Sequence, residues 1–247
     1  MLPLILYDIP SNAGNHWAPS TTRSRLVLSY KGLPFEIKWV ELPDIAPRMK
    51  EIGATPGGKH PDGSDRYTLP VIHDPNTGAL VSDSWNIAVY LENTYPEKPI
   101  FPKDTKGLIR AFNTAEDDQI VPIRKFISLR SREILTERSA EYLTTVIRER
   151  YFNQKFEEFS PEGSPECDQH WSAMEKAFTV TKTWYDQTGS KWFMGSTFSY
   201  IDVLSAARLF WFKQVLHDDE WKRLAGWHGG QWERLLIDVE KECKVAQ

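Results

Sequence analysis

Residues 68–96 read TLPVIHDPNTGALVSDSWNIAVYLENTYP, and the punctuation inside that stretch decides how the first part of the chain folds. The apolar runs TLPVI and GALV flank HDPNT, where Asp74 to Gly78 supply turn chemistry. This spacing predicts a β-hairpin. Ser82 or Asp83 then opens a helix carrying Trp85, Ile87, Ala88 and Leu91, which closes before Pro96 because a residue preceding proline avoids the helical region.

Toward the N-terminus, the short apolar run Leu4–Tyr7 and the alternating FEIKWV of residues 35–40 read as strands. Between them Leu26, Val27, Tyr30 and Leu33 recur at helical spacing, with Lys31-Gly32 as a basic last turn and a glycine stop. The unit is β-α-β. The polar segment GATPGGKHPDGSDR, residues 53–66, reads as a loop. Joined to the hairpin and its helix, these elements predict a small mixed-sheet domain.

The helix start in NHWAPSTTR is unusual. Pro19 suits the first helical position, since its missing N–H would have no intrahelical partner there. Ala18 is then the N-cap and offers no side-chain oxygen to the first-turn amides. Either Ser20 caps in a shifted register or those donors serve a bound anion.

After the proline-punctuated YPEKPIFPKD the texture becomes helical: Thr105–Glu137, Ala140–Phe159, Asp168–Gln187, Ile201–Leu216 and Gly230–Lys241. The domain reading is 1–97, a linker at 98–104, and an all-helical domain at 105–247. Ser199 and Asp202 form a capping box stapled by Phe198 and Val203, ahead of the apolar VLSAARLFWF expected to be the buried central helix.

A net charge of −4 over 247 residues, with Lys and Arg dispersed among carboxylates, argues against nucleic acid. No run is long and apolar enough to cross a membrane, and MLPLILYDIP lacks a basic leader, so an intracellular, cytoplasmic protein is expected. Cys167 and Cys243 form no redox or metal spacing, and the six histidines show no paired spacing, so no metal is expected.

A sheet domain followed by a helical one, with Leu69-Pro70-Val71, Ser82-Asp83-Ser84 and the Phe193 to Asp202 capping-box segment, resembles a glutathione transferase over nearly the full chain. The resemblance implies a thioredoxin-like N-terminal domain, a mixed four-stranded sheet with helices, and an all-helical C-terminal domain. It further implies a cis-proline at Pro70 that leaves a backbone N–H and C=O for the cysteinyl part of glutathione. Asp83 would hold the γ-glutamyl ammonium and Ser84 its carboxylate, assisted by the helix N-terminus. The long first loop, SNAGNHW, and PDGSDRYTLPVIHDPNTG most resemble the fungal-specific class A transferases, related to bacterial β-etherases.

Such chemistry needs a thiolate, and a free thiol near pKa 8.5 is mostly protonated at neutral pH. Related proteins have Ser-Pro at this turn; this chain has Ala18-Pro19. The activating hydroxyl is therefore expected from Ser20, then Thr21 or Ser24, or else from backbone N–H groups alone. Ser24, a full turn farther in, reads better as a surface serine. The absence of a cysteine at position 18 makes the enzyme serine-type rather than cysteine-type.

Arg66 and His60 are the candidates for the glycyl carboxylate. For the hydrophobic substrate the candidates are His16, Trp17, Pro122, Phe126, Trp211 and Phe212, each competing with plain core packing. The implied protein is a homodimeric detoxification enzyme with glutathione as co-substrate. Its thiolate would attack aromatic electrophiles, by conjugation, β-ether cleavage or peroxide reduction. The alternative is a ligandin that binds aromatic or polyphenolic compounds with little catalysis.

Overall fold

The computed structural model describes residues 1–145 and 160–244. The chain divides into two compact units: Met1–Pro99 with Leu135–Tyr142 and Glu240–Gln247, and Ile100–Ile134 with Leu143–Val239.

The first unit begins β1 (Leu4–Asp8), α1 (Pro19–Lys31), β2 (Phe35–Trp39). α1 keeps Ala18 as an extended, side-chain-free N-cap with Pro19 behind it. Its carbonyl accepts from the Thr22 amide at 3.0 Å, from Thr22 Oγ1 at 2.9 Å and from Thr21 Oγ1 at 3.0 Å. The helix stops at Gly32, whose φ of 70° is costly for any residue with a Cβ.

Helix α2 (Ile45–Glu51) follows, an element that the local pattern did not announce. Inside the polar segment read as loop, β3 (Gly58–Lys59) and β4 (Asp65–Arg66) form a short antiparallel ribbon. Then come β5 (Val71–Asp74), β6 (Ala79–Ser82) and α3 (Ser84–Thr94), the hairpin and helix the sequence predicted. The main sheet runs β2-β1-β5-β6, with β1 parallel to β2 and antiparallel to β5. This is the mixed four-stranded sheet of a thioredoxin-like domain. Its turn closes on Asp74, whose carbonyl accepts the Gly78 amide at 2.9 Å and whose buried carboxylate accepts Tyr90 and Tyr95 hydroxyls at 2.7 and 2.6 Å.

α1 packs on α3, and the two are tied at their C-terminal ends by Lys31. Its buried ammonium donates to the carbonyls of Tyr95, Glu97 and Lys98 and pairs with Glu92 at 2.9 Å.

The second unit starts with α4 (Lys106–Ile120) and α5 (Arg124–Glu133), not one helix to Glu137. Pro122 lacks the amide to continue α4, and a short tight turn at Val121–Ile123 separates the two. α6 (Glu137–Tyr142) returns the chain to the first unit: Arg138 Nη2 donates to Asp44 at 2.6 Å, and Ser139 Oγ accepts the Leu42 amide at 3.0 Å and donates to Glu41. The helix expected over Ala140–Phe159 lies mostly outside the described residues.

α7 (Pro165–Tyr185) starts three residues earlier than expected because Ser164 caps it, accepting the Cys167 amide at 3.1 Å, with Pro165 at its first position. α8 (Tyr200–Val215) carries the predicted capping box and is buried without a break from Tyr200 to Leu209, as a central helix should be. α9 (Asp218–Gly226), not foreseen, and α10 (Gln231–Glu242) complete the order. Buried charge in this unit is paired: Arg208 meets Glu116 at 3.2 Å, and Ser205 Oγ donates to the same carboxylate at 3.1 Å. Among the described residues no helix is long and apolar enough to cross a membrane.

Candidate functional site

In the first unit Tyr7, near the end of β1, stands opposite Val71, the first residue of β5, which in turn stands opposite Ser82, the last of β6. One end of the sheet therefore gathers three segments: the loop into α1, Leu69-Pro70, and the start of α3. Ligands of open α/β sheets sit beyond the carboxyl ends of parallel strands, here the same ends of β1 and β2.

The Leu69–Pro70 peptide is cis. The Pro70 carbonyl accepts the Asp83 amide at 3.2 Å, and Val71 is held in the sheet on both sides. Leu69 is buried, yet neither its N–H nor its C=O has a hydrogen-bond partner among the described residues. Nearly all buried backbone groups are paired in native proteins, so an open pair at a strand start points to a ligand.

Asp83 caps α3: Oδ1 accepts the Trp85 and Asn86 amides at 3.0 and 3.2 Å. Its backbone sits at φ 79°, ψ 133°, a region few side chains tolerate. Strain of that kind persists where the surroundings force it and collects at binding sites. Oδ1 is spent on the cap, while Oδ2 faces no partner among the described residues. Ser84 is buried as the first residue of the helix.

At α1, Ser20 is half-buried and its hydroxyl is unpaired among the described residues. Thr21 differs. It is fully buried, and its hydroxyl is already engaged within the fold, 3.0 Å from the Ala18 carbonyl and hydrogen-bonded with Asp8. Ser24, read as a surface serine, is buried, with its Oγ unpaired among the described residues. Trp17 is also buried, with Nε1 lacking a partner among the described residues, and His16 beside it is half-buried. Burial, and then the nearby Arg25 guanidinium, push the His16 pKa down to about 4, so the ring is neutral at pH 7.

Sequence reasoning missed the groups beneath this turn. Asp8, at the end of β1, is fully buried; its Oδ1 accepts the Ile9 amide at 2.7 Å and its Oδ2 faces Arg25 at 3.9 Å. Burial raises its pKa against the Thr21 hydroxyl, the Ile9 amide and Arg25. That an aspartate closing an apolar strand meets an arginine one helical turn beyond Thr21 would have been visible only with the β1–α1 packing in hand.

Arg66 and His60 stand on and beside the β3–β4 ribbon, Arg66 exposed and His60 half-buried. Gly57 precedes the ribbon where a Cβ would meet Thr68 Oγ1 at 2.1 Å, so only glycine fits.

Residues 17–94 match the glutathione S-transferase N-terminal domain family, and residues 107–241 match the glutathione S-transferase C-terminal domain family. The chain belongs to the glutathione S-transferase family. Among solved glutathione S-transferases, one from Ceriporiopsis subvermispora in complex with glutathione is 36% identical, with a TM-score of 0.91 over 100% of this chain and 99% of that one. A glutathione transferase from Phanerochaete chrysosporium is 35% identical, with a TM-score of 0.90 and the same coverage. A curated glutathione S-transferase-like protein of Aspergillus flavus is 31% identical over 172 residues, 64% of this chain and 60% of that protein, so the match spans under two thirds of that relative's length.

In the transferase's helical unit, two of the aromatic candidates belong to the core. Phe126 is fully buried with Trp171 edge-on at 5.6 Å, and Phe212 is fully buried against Phe178 at 5.9 Å. Helical spacing alone cannot separate a packing face from a ligand wall. Trp211 is half-buried, its Nε1 donating to Ser131 Oγ at 3.3 Å, and Pro122 is exposed.

Proposed function

We propose that the first unit takes glutathione and that the chain is a glutathione transferase of the serine type, most like the fungal-specific class A, etherase-related transferases. The observation that carries this reading is the open N–H and C=O of Leu69 beside a cis-proline, flanked by the strained Asp83 cap. The relatives from Ceriporiopsis subvermispora solved with glutathione support it at 36% and 35% identity.

In this reading the Leu69 main chain pairs with the cysteinyl unit, Asp83 Oδ2 holds the γ-glutamyl ammonium, and the α3 N-terminus with Ser84 takes the adjoining carboxylate. Arg66 and His60 serve the glycyl end. The thiol lies at the first turn of α1, where the free amides of Ser20 and Thr21 and the unpaired Ser20 hydroxyl favour the anion. The thiolate sulfur then bonds to an electrophilic, aromatic carbon, and the leaving group departs with the bonding electron pair. His16, Trp17 and Trp211 are the candidates to line the acceptor. The working form in this reading is a cytoplasmic homodimer.

The test is an ultraviolet titration of the bound thiol in wild type and Ser20→Ala. A pKa well below 8.5 in wild type that rises by about one unit in the variant is expected. An unchanged value removes Ser20 from the role.

One observation favours a second reading. Ala18 brings no hydroxyl to the turn, which suits a ligandin that keeps the glutathione site but turns over slowly. Tight displacement of an aromatic probe, with turnover of a generic electrophile no faster than free glutathione gives, would select it.

A further inference from the structure

We propose that His228 is a pH-operated latch inside the second unit: its neutral ring ties the core indole of Trp232 on α10 to Thr179 on α7, and protonation of the ring breaks that tie. The inference does not depend on what the first unit binds.

The proton positions follow from the chemistry of the partners. An indole N–H can only donate, and Trp232 Nε1 lies 2.9 Å from His228 Nδ1, so Nδ1 is the bare, accepting nitrogen. The ring proton is then on Nε2, 3.1 Å from Thr179 Oγ1. That oxygen accepts it, because the Thr179 hydroxyl gives its own proton to the Glu175 carbonyl at 2.8 Å. Each donor from Trp232 to Thr179 is used once, and only the neutral ring allows it.

Neither partner of the ring gives way easily. Trp232 is only 1% exposed and packs edge-on against Phe178 at 5.1 Å and Tyr185 at 6.2 Å. A buried N–H that loses its acceptor is left with the cost of its desolvation. His228 itself sits at φ 53°, ψ 37° between α9 and α10, followed by Gly229 and Gly230 at φ 67° and 78°. A side chain with a Cβ adopts that left-handed conformation at a cost, so the two hydrogen bonds of the ring hold the turn in place.

A second proton, on Nδ1, would point at the indole N–H, donor against donor. One of the two must leave. The indole is wedged in the core, whereas the ring is half-buried on a turn that continues into two glycines, so the ring moves. The charged groups acting on it come from α7: Lys182, Glu175 and Asp186, with Lys182 paired to Asp186. From α9, Arg223 is turned onto the Trp171 ring at 4.4 Å, and from α10, Arg234 donates to the Gly229 carbonyl at 2.6 Å. Burial, and then Lys182, oppose protonation of the ring against the two carboxylates. The latch is therefore closed at neutral pH and opens on acidification.

The experiment follows the Trp232 indole N–H and the His228 ring of the full chain by NMR from about pH 7.5 to 4.5, in wild type and His228→Gln. The glutamine amide can accept from the indole and donate to Thr179 but takes up no proton. In wild type the ring is expected to titrate below its ordinary value of about 6.5, and the indole signal to shift at the same midpoint. Hydrogen exchange of the indole, corrected for the intrinsic effect of pH, should rise about tenfold across that midpoint. In His228→Gln this response is expected to vanish. An indole that keeps its shift and exchange rate while the ring titrates overturns the inference, as does an unchanged response in the variant. A change shared by all ten tryptophans reports general unfolding and overturns it too. The wild-type titration decides the matter even where the variant does not fold.

Discussion

Lys31 Nζ lies 2.9 Å from Glu92 Oε2, with the lysine side chain only 1% exposed. The same ammonium satisfies three carbonyls where the chain leaves α3, so it both neutralises Glu92 and closes a helix end. Lys31→Met removes the ammonium 2.9 Å from Glu92 and the donor shared by three carbonyls. A loss of about 3–5 kcal/mol is expected, the range for breaking one side of a buried pair. Urea unfolding of the two proteins reads it; a loss below about 1 kcal/mol would place Lys31 among ordinary surface lysines.

Asp83→Asn separates the cap from the charge. Asparagine keeps an oxygen for the Trp85 and Asn86 amides and tolerates positive φ better than most residues, so the fold is expected to hold within about 1 kcal/mol. In the glutathione reading the ammonium partner is lost. Glutathione affinity measured by calorimetry should fall about tenfold or more, in line with the 1.5–3 kcal/mol of a charged hydrogen bond. Equal affinity in the variant would remove Asp83 from ligand binding.

Two buried aspartates respond to pH with opposite sign. Burial raises Asp202 to about 6, against the Phe193 and Ser199 amides and the Ser199 and Tyr185 hydroxyls. Its folded-state pKa exceeds the unfolded one, so its contribution is full below pH 4 and is lost, by about 2–3 kcal/mol, as pH rises through 6. At Asp74 burial also opposes ionisation, but Tyr95, Tyr90 and Asn76 outweigh it and hold the carboxyl below its ordinary value. Its contribution is present above pH 4 and falls away on further acidification. Unfolding free energies measured from pH 3 to 8 should show the gap between wild type and Asp202→Asn narrowing as pH rises. The gap to Asp74→Asn should narrow as pH falls. Parallel curves would refute both.

His16 adds a third pH dependence. Its ring, depressed to about 4 by burial and Arg25, takes up a proton in the unfolded chain before it does so in the fold. Stability should fall by about 1–2 kcal/mol between pH 6.5 and 4, and His16→Gln should flatten that slope. An NMR titration that finds the ring protonating near 6.5 contradicts the burial described.

Local chemistry made much of this fold legible. Pro19 and Gly32 bound α1, Asp74 to Gly78 form the hairpin turn, and Ser199 and Asp202 form the box on α8, each where the residue types require it. Long-range burial left no such mark. Lys31 reads as a basic last turn and Asp8 only follows a short apolar run, and the packing of distant segments turns both into buried anchors. The aromatics went the other way: Phe126 and Phe212 have the spacing of a ligand wall and serve as core. At the candidate site the sequence named Leu69, Asp83 and Ser20 as candidates, but that the Thr21 hydroxyl is held by Ala18 needed coordinates.

The return of α6 and of the last turns to the first unit bears on how the protein is made. A ribosome releases residues 1–99 long before Leu135–Tyr142, and longer still before Glu240 onward, so the sheet domain waits for pieces made after most of the helical unit. A truncation after residue 239, which spares every residue of the candidate site, should yield a first unit that lacks part of its own wall.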